Sequence, residues 1–579
     1  MIAVFQKNSG RMGPRLRRAR IALLFLAVLL EVACSEQYRP VVQPILPPPP
    51  NPGAVHYIIS LTTNGSDVLA GGACSPSGLL PPCVSNPGSA DLIDVSGDSY
   101  TGSFNTGVAP IHAAVTMNGN KVYTANFRED TVSVSNISNP TAVNTISLPA
   151  GSQPVFVHTT EMGNMYVANY GNNTVSQINT ASDVVTGSVV VGAQPVALAE
   201  MPNAQKVYAV NQGAGTVTSI NVLGFTVSST IPLPGGAVPI WAVARTDNAK
   251  VYVLDNNGTI YEIDTLTESV AAVPIIDSSN TSLGAGANFM SFDPVAQRLY
   301  VTNPATGRVA ILNTATDPNP VPQVLKVIDL AQGANPPCPG GCSPASVTGI
   351  GDGSRAYVAS YQLASCLDFL MHPFPCMNTQ VEVIATGNNT ISKVIPISSG
   401  VPLDLTNPAD CGPSAGPPAA APWTPVTARF RVFTTASGGG SISNFKVYVS
   451  QCDAGSVAVI DTFADSLSSN PHPADTYTAA LSTPLSSFPA QRTGISAAAV
   501  SNGMTTYNYV LNSGPGLQVG MKVLITGMSN TGNNGYFVIS SLATGAFTVA
   551  NAGGVTAPSQ SGTGLVMPLQ NPVFLVAGP

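Results

Sequence analysis

Short runs in which apolar residues alternate with small or polar ones recur along most of the chain, as in Thr174-Val175-Ser176-Gln177-Ile178, and Asn, Asp, Gly and Pro separate them. A period of two broken by turn-forming residues predicts short strands. The runs themselves repeat. A tyrosine-bearing strand returns at Tyr57, Tyr123, Tyr166, Tyr208, Tyr252, Tyr300, Tyr357 and Tyr448, mostly in a Lys/Arg-x-Tyr core, with central spacings of 43, 42, 44 and 48 residues. That period is the length of one four-stranded propeller blade. Unit three displays the strands most clearly: A at 154–159, B at 165–168, C at 174–178 and D at 184–190.

Strand C usually ends in an apolar-Asn/Asp-Thr step, at Ile178-Asn179-Thr180, Ile263-Asp264-Thr265, Leu312-Asn313-Thr314 and Ile460-Asp461-Thr462. Asn and Asp side chains bond the backbone two residues on and bend the chain into strand D. An Asn three residues after the tyrosine, at Asn126, Asn169, Asn211 and Asn303, is expected to serve the B–C turn in the same way; a ring of amide ligands is the alternative. Strand A opens with Pro110, Pro154, Pro195, Pro239, Pro344 and Pro425, a residue suited to a first strand position. Unit one lacks a strand A. Its substitute is the chain end, where Asn571-Pro572-Val573-Phe574-Leu575 copies Gln153-Pro154-Val155-Phe156-Val157. Pairing it with the first blade closes the ring and removes exposed sheet edges. The fold class read from the sequence is all-β, a circular β-propeller of four-stranded blades, eight by repeat count with seven as the alternative. It occupies residues 54–490 and is closed by a strand in 567–579. Residues 491–566 break the pattern and read as a small antiparallel β module inserted before the closing strand.

The strands Tyr300-Val301-Thr302-Asn303 and Tyr166-Val167-Ala168-Asn169 resemble the YVTN-type β-propeller family, and the resemblance covers residues 54–490 and the closing strand. It implies a mostly seven-bladed, often exported protein of the kind found at cell surfaces, where many members have no assigned activity. The N-terminus agrees with export. Arg11, Arg15, Arg17, Arg18 and Arg20 precede an apolar run from Ile21 to Leu30 that is too short to span a bilayer, followed by Val32-Ala33-Cys34. Residues 1–33 resemble a bacterial lipoprotein signal, which implies lipidation at Cys34. Glu31 stands where that signal usually carries Leu, which leaves ordinary cleavage as the alternative. Residues 34–53 hold seven prolines and form a stiff tether. The expected location is the periplasm or cell surface, with the membrane reached through lipid.

Charged residues are 9% of the chain, against roughly 25% in an average soluble domain. The 44% hydrophobic content argues against disorder. Loss of residues 1–33 takes away six of the 22 basic residues and one of the 29 acidic ones, leaving a net charge of −12 and excluding nucleic acid as a partner. Eight cysteines remain besides Cys34, and their order suggests disulfides Cys74–Cys83, Cys338–Cys342, Cys366–Cys376 and Cys411–Cys452. No motif calls for a metal, a cofactor or a catalytic residue. The five histidines, His56, His112, His158, His372 and His472, are scattered singly and read as strand or loop residues.

Insertions carry the functional expectation. They fall at 61–89, 331–343, 362–379, 400–424 and 491–566, all in B–C or D–A connections, which share one face of a propeller. Phe369, His372 and Phe374 between Cys366 and Cys376, with nearby Trp423, offer aromatic contact area there; a loop folding its aromatics inward is the alternative. The sequence therefore favours a binding scaffold for a macromolecule, glycan or small ligand. The rivals are a propeller enzyme of the lactonase or quinoprotein dehydrogenase kind and a structural envelope component.

Overall fold

The computed structural model describes residues 57–64, 68–69, 72–73, 83–84, 87–159, 163–315, 321–333, 335–368, 371–403, 411, 430–437, 446–462, 476–482, 491–511, 517–557, 562–566 and 570–578. The expected export signal in 1–33, Cys34 and the proline-rich segment 34–53 lie outside these residues. Eight four-stranded antiparallel sheets form the propeller, each in the order A-B-C-D. The A strands are Gln570–Ala577, Pro110–Val115, Pro154–Thr159, Pro195–Glu200, Pro239–Ala244, Phe289–Asp293, Ser343–Gly349 and Val432–Ala436, in blades one to eight. Each touches the A strands of both neighbouring blades, so together they make a closed inner ring. The count is thus eight, where the family resemblance implied seven.

The chain end supplies strand A of blade one as its sequence predicts. It pairs antiparallel with strand B (Tyr57–Asn64), Leu575 opposite Ser60, Phe574 opposite Leu61 and Pro572 opposite Thr62. Two details differ from the repeat reading. Tyr57 pairs with Asp94, as Lys121 pairs with Asn136, so it occupies the Lys position and Ile59 takes the tyrosine position. A two-residue slip keeps every side chain on its own face, so alternation cannot detect it. Strand A of blade eight begins at Val432, with Arg431 before it, while Pro425 lies outside the described residues.

The tyrosines at the true position, Tyr123, Tyr166, Tyr208, Tyr252, Tyr300, Tyr357 and Tyr448, are fully buried between blades. Several reach into the C–D turn of the next blade. Lys121 Nζ lies 2.8 Å from Asp183, and the Tyr123 hydroxyl donates to the same carboxylate. Lys446 and Tyr448 hold Asp98 at 2.6 and 2.7 Å, and Lys206 holds Glu268 at 2.5 Å. Asp98, Asp183 and Glu268 are each the fourth residue after the Asn/Asp of the turn, with φ of 45°, 54° and 56°. Blade three has Asn164 in place of the Lys, and the acid position in the next turn is Phe225, whose ring stacks on Tyr166 at 5.5 Å. An ionic contact between blades is there replaced by an aromatic one.

Residues 491–566 form a closed six-stranded barrel in the order Gln491–Ser501, Met504–Leu511, Ala546–Ala550, Gly535–Ala543, Lys522–Thr526 and Gly562–Val566. Three of them, Lys522–Thr526, Gly535–Ala543 and Ala546–Ala550, coincide with the apolar runs 520–527, 535–539 and 546–549 by which the sequence predicts the module. The hairpin 491–511 and the last strand complete the circle around Tyr507, Phe547, Ile525, Val523 and Ile539. Gln491 pairs with Val566, so the barrel's entry and exit are neighbours.

Candidate functional site: the elaborated face and the axis

Blade seven carries the longest strands, B at Arg355–Leu367 and C at Pro373–Ala385, paired to the tip of a hairpin that rises above the ring. The Cys366–Cys376 bridge ties the two strands near that tip, with Cα atoms 5.8 Å apart. Cys338–Cys342 tightens the D–A connection into blade seven, and Cys411–Cys452 joins the D–A connection into blade eight to the B–C turn of that blade. All three pairings match the sequence expectation. Cys83 opens the two-residue strand Cys83–Val84 in the B–C connection of blade one, and Cys74 lies outside the described residues.

The barrel sits on this hairpin. Phe374 is buried with Cys376, Leu524 and Leu565, and the Tyr536 hydroxyl donates to the Leu403 carbonyl at 2.5 Å. His372 Nδ1 lies 3.1 Å from Asp368, whose carboxylate also accepts from Thr526 Oγ1 at 3.1 Å. Gly527, with φ 76°, passes against the His372 ring, and a methyl there would overlap it. Phe374 is therefore a seat for the barrel and not an exposed contact: it is buried under Leu524 and Leu565 of the barrel strands. His372 is half-buried in the same junction. Phe369 and Trp423 lie outside the described residues.

Sequence reasoning missed the axis. Corresponding strand-A positions carry Phe574, His112, Phe156, Ala197, Trp241, Phe289, Ser346 and Phe433. Six of them form one closed circuit: His112 stacks on Phe156 at 3.9 Å, Phe156 meets Trp241 at 5.4 Å, Trp241 meets Phe289 at 4.9 Å and Phe289 meets Phe433 at 5.3 Å; Phe433 meets Phe574 and Phe574 meets His112, both at 4.5 Å. Ala197 and Ser346 are small enough for their neighbours to meet across them. His112 of blade two also lies 6.3 Å from Trp241 of blade five, so the rings fill the centre. The signal was in the sequence as Pro-x-aromatic at Pro110-Ile111-His112, Pro154-Val155-Phe156, Pro239-Ile240-Trp241 and Pro572-Val573-Phe574. Burial among these rings, together with the nearby His158, lowers the His112 pKa to about 3, so it packs as a neutral aromatic ring. His158 is pushed down to about 4 by burial.

Two buried carboxyls occupy matching strand-C positions. Asp91 of blade one accepts from Ser103 at 2.6 Å, and Glu382 of blade seven accepts from Ser360 at 2.7 Å and from Gln380 at 2.6 Å. Burial raises both to about 7 against these hydrogen bonds. In blades two to four the same strand-C position carries Ser133, Ser176 and Thr218, which accept from the Asn126, Asn169 and Asn211 amides. Those three asparagines thus tie strand B to strand C, and only Asn303 caps its turn, through the Ala305 and Thr306 N–H groups. Among the described residues no group of three or more His, Cys, Asp or Glu side chains could hold a metal ion.

An eight-bladed propeller with a barrel on its looped face defines the class of protein. No family model and no curated protein matches the chain. Among solved structures it is similar to hydrazine synthase of Kuenenia stuttgartiensis at 21% identity, with 53% of this chain and 92% of that one covered and a TM-score of 0.39. A virginiamycin B lyase from Staphylococcus aureus is matched at 10% identity over 58% of this chain and 91% of that one, TM-score 0.38. The β-propeller domain of Cps50 (Swd1) from Myceliophteria thermophila is matched at 9% identity over 50% and 88%, TM-score 0.38.

Proposed function

We propose that the chain is an exported, lipid-anchored β-propeller that acts as a binding scaffold through its looped, disulfide-tied face. The observation that carries this reading is the continuity of the elaborations. The blade-seven hairpin touches both the barrel and the connection that holds Cys338–Cys342, and the Cys411–Cys452 bridge lies in connections of the same B–C and D–A side. Blades three and four keep short turns there. Loops held over a rigid scaffold are a recurrent way to build a binding surface. The aromatic circuit lines the axis at one level of the A strands, with no cluster of carboxylates among its rings.

Because Gln491 and Val566 are paired neighbours, the barrel can be excised with a short Gly/Ser joint and the ring left closed. A pull-down or glycan array with the full chain should give ligands that are lost when 491–566 and the hairpin tip 362–379 are both removed. Ligands retained by that double deletion would count against the reading. The anchor has its own test: Cys34→Ser should move the protein out of the membrane fraction and abolish acyl labelling, and unchanged fractionation would remove lipidation from the proposal.

A further inference from the structure

The repeat tyrosine marks a second level of the axis. Opposite it in strand A, two residues beyond the aromatic circuit and on the same face of the strand, stand His158, Ser291, Thr348 and Thr435 in blades three, six, seven and eight. Val243 holds the place in blade five and Val576, opposite Ile59, in blade one; alanines hold it in blades two and four. A step of two residues advances roughly 6.6 Å along a strand and keeps the direction of the side chain, so these groups lie nearer the A–B turns and point to the axis as the rings do. All six named side chains are half-buried. In blades six, seven and eight the residues two before them, Phe289, Ser346 and Phe433, and two after them, Asp293, Ile350 and Ser437, are buried. Exposure in the middle of such strands is exposure to a central space. The axis thus holds a well on the A–B side, with the aromatic circuit as its floor. We infer that this well binds a neutral monosaccharide, the C–H face of the sugar against the rings and its hydroxyls against the wall.

Unused bonding capacity is the first argument. Among the described residues the His158 ring and the Ser291 and Thr435 hydroxyls have no hydrogen-bond partner, and the Thr348 hydroxyl has only the Gly349 carbonyl at 3.3 Å. Polar groups held inside a protein are paired with protein or with bound molecules, so this wall is left to water or to a ligand. Absence of charge is the second argument. None of the eight positions carries Asp, Glu, Lys or Arg, and burial pushes the His158 pKa down to about 4, which keeps its imidazole neutral. An ion would give up its hydration here without meeting a counter-charge, so the occupant is uncharged.

Arrangement is the third argument. An apolar and aromatic lining with a few placed polar groups is the make-up of small-molecule sites. Here the polar groups stand in four blades around the circumference and the apolar ones in the other four. A ligand that satisfies them carries hydroxyls about its edge and one apolar face, as a pyranose ring does. A flat aromatic molecule with a single polar group would leave most of the wall unpaired, and bonds left unmade at buried groups are costly. Because strand A runs from the D–A connection to the A–B turn, the well lies beyond the circuit from the looped face and is a site separate from it.

The test uses the floor itself. Trp241 is one of two tryptophans in the chain, so in the full chain carrying Trp423→Phe its fluorescence reports occupancy of the well. D-glucose, D-galactose, D-mannose and N-acetylglucosamine are titrated, with galacturonate and benzyl alcohol as comparisons. At least one neutral sugar should change the emission saturably, with a Kd of about 1 mM or tighter. Ser291→Ala with Thr435→Val removes two hydroxyls while keeping the shape of the wall; it should weaken that response about tenfold and leave thermal unfolding unchanged. No saturable response to any of the four sugars, or an equal response in the double variant, would overturn the assignment. Benzyl alcohol binding as tightly as the best sugar would make the well a plain apolar pocket, and galacturonate binding more tightly than galactose would show that charge is admitted; either outcome refutes the neutral sugar.

Discussion

At the scale of single residues two titratable groups packed among other side chains make stability pH-dependent in opposite directions. Glu382 has its carboxyl raised from 4.5 to about 7 by burial. The native state holds that proton more tightly than the unfolded chain, so its contribution is intact below about pH 4.5 and is lost as pH rises to about 7. Glu382→Gln should match the parent in stability at pH 4 and exceed it at pH 8 by up to roughly 3 kcal/mol, read as a higher Tm at pH 8; equal Tm values at pH 8 would show that the carboxyl is not destabilising. His112 behaves oppositely. Its folded pKa is depressed from 6.5 to about 3, so stability present above pH 6.5 is lost as the pH falls toward 3. His112→Phe should leave Tm at pH 7.5 nearly unchanged and raise it at pH 4, measured by thermal unfolding across that range. The clamps between blades show what sequence inspection could and could not reach. The Asn/Asp-Thr turns were visible, but the acid four residues on acquires meaning only beside the Lys and Tyr of another repeat.

At the scale of elements the strand phase was legible because period-two alternation and turn residues are local properties of the chain. Contacts between distant elements were not. Nothing near Phe374 announces that Leu524 and Leu565 will cover it, and a disulfide-bracketed aromatic loop looks the same in sequence whether it meets a ligand or another part of its own chain. The barrel was only half legible for a related reason: its completing strands include the Gly- and Ala-rich stretches Gln491–Ser501 and Gly562–Val566, whose weak alternation hides their pairing. The seat of the barrel can be tested by itself. Phe374→Ala removes the aromatic ring at that junction, a loss of roughly 3 kcal/mol for a well-packed phenylalanine. Limited proteolysis should then release the barrel from the ring faster, while the unfolding of the ring stays within a few degrees of the parent. Unchanged cleavage would mean that the Tyr536–Leu403 and Asp368–Thr526 bonds suffice to hold the barrel.

At the scale of the whole molecule, closure ties together strands separated by nearly the length of the chain, and the tie is made where the aromatic circuit needs it. Phe574 stands between His112 and Phe433, at 4.5 Å from each, so the closing strand completes both the sheet of blade one and the filling of the axis. This also explains why the chain end could be placed from sequence alone: its Pro-x-Phe step repeats a strand A, and a ring offers one vacant place for it. Truncation after Leu569 removes Val573, Phe574 and Leu575, all buried, whose transfer from water contributes roughly 5 to 8 kcal/mol. It also exposes the edge of Tyr57–Asn64, which becomes a template for pairing with other chains. A loss of that size is comparable to the net stability of many domains. The truncated protein should therefore aggregate or be degraded, and a synthetic peptide of residues 570–579 added during refolding should restore soluble material. The same peptide with Phe574→Ala should restore less, because it supplies the strand ladder without the ring that joins His112 to Phe433. A truncated chain that stays soluble and unfolds at the parent temperature would show that the ring does not depend on its last strand.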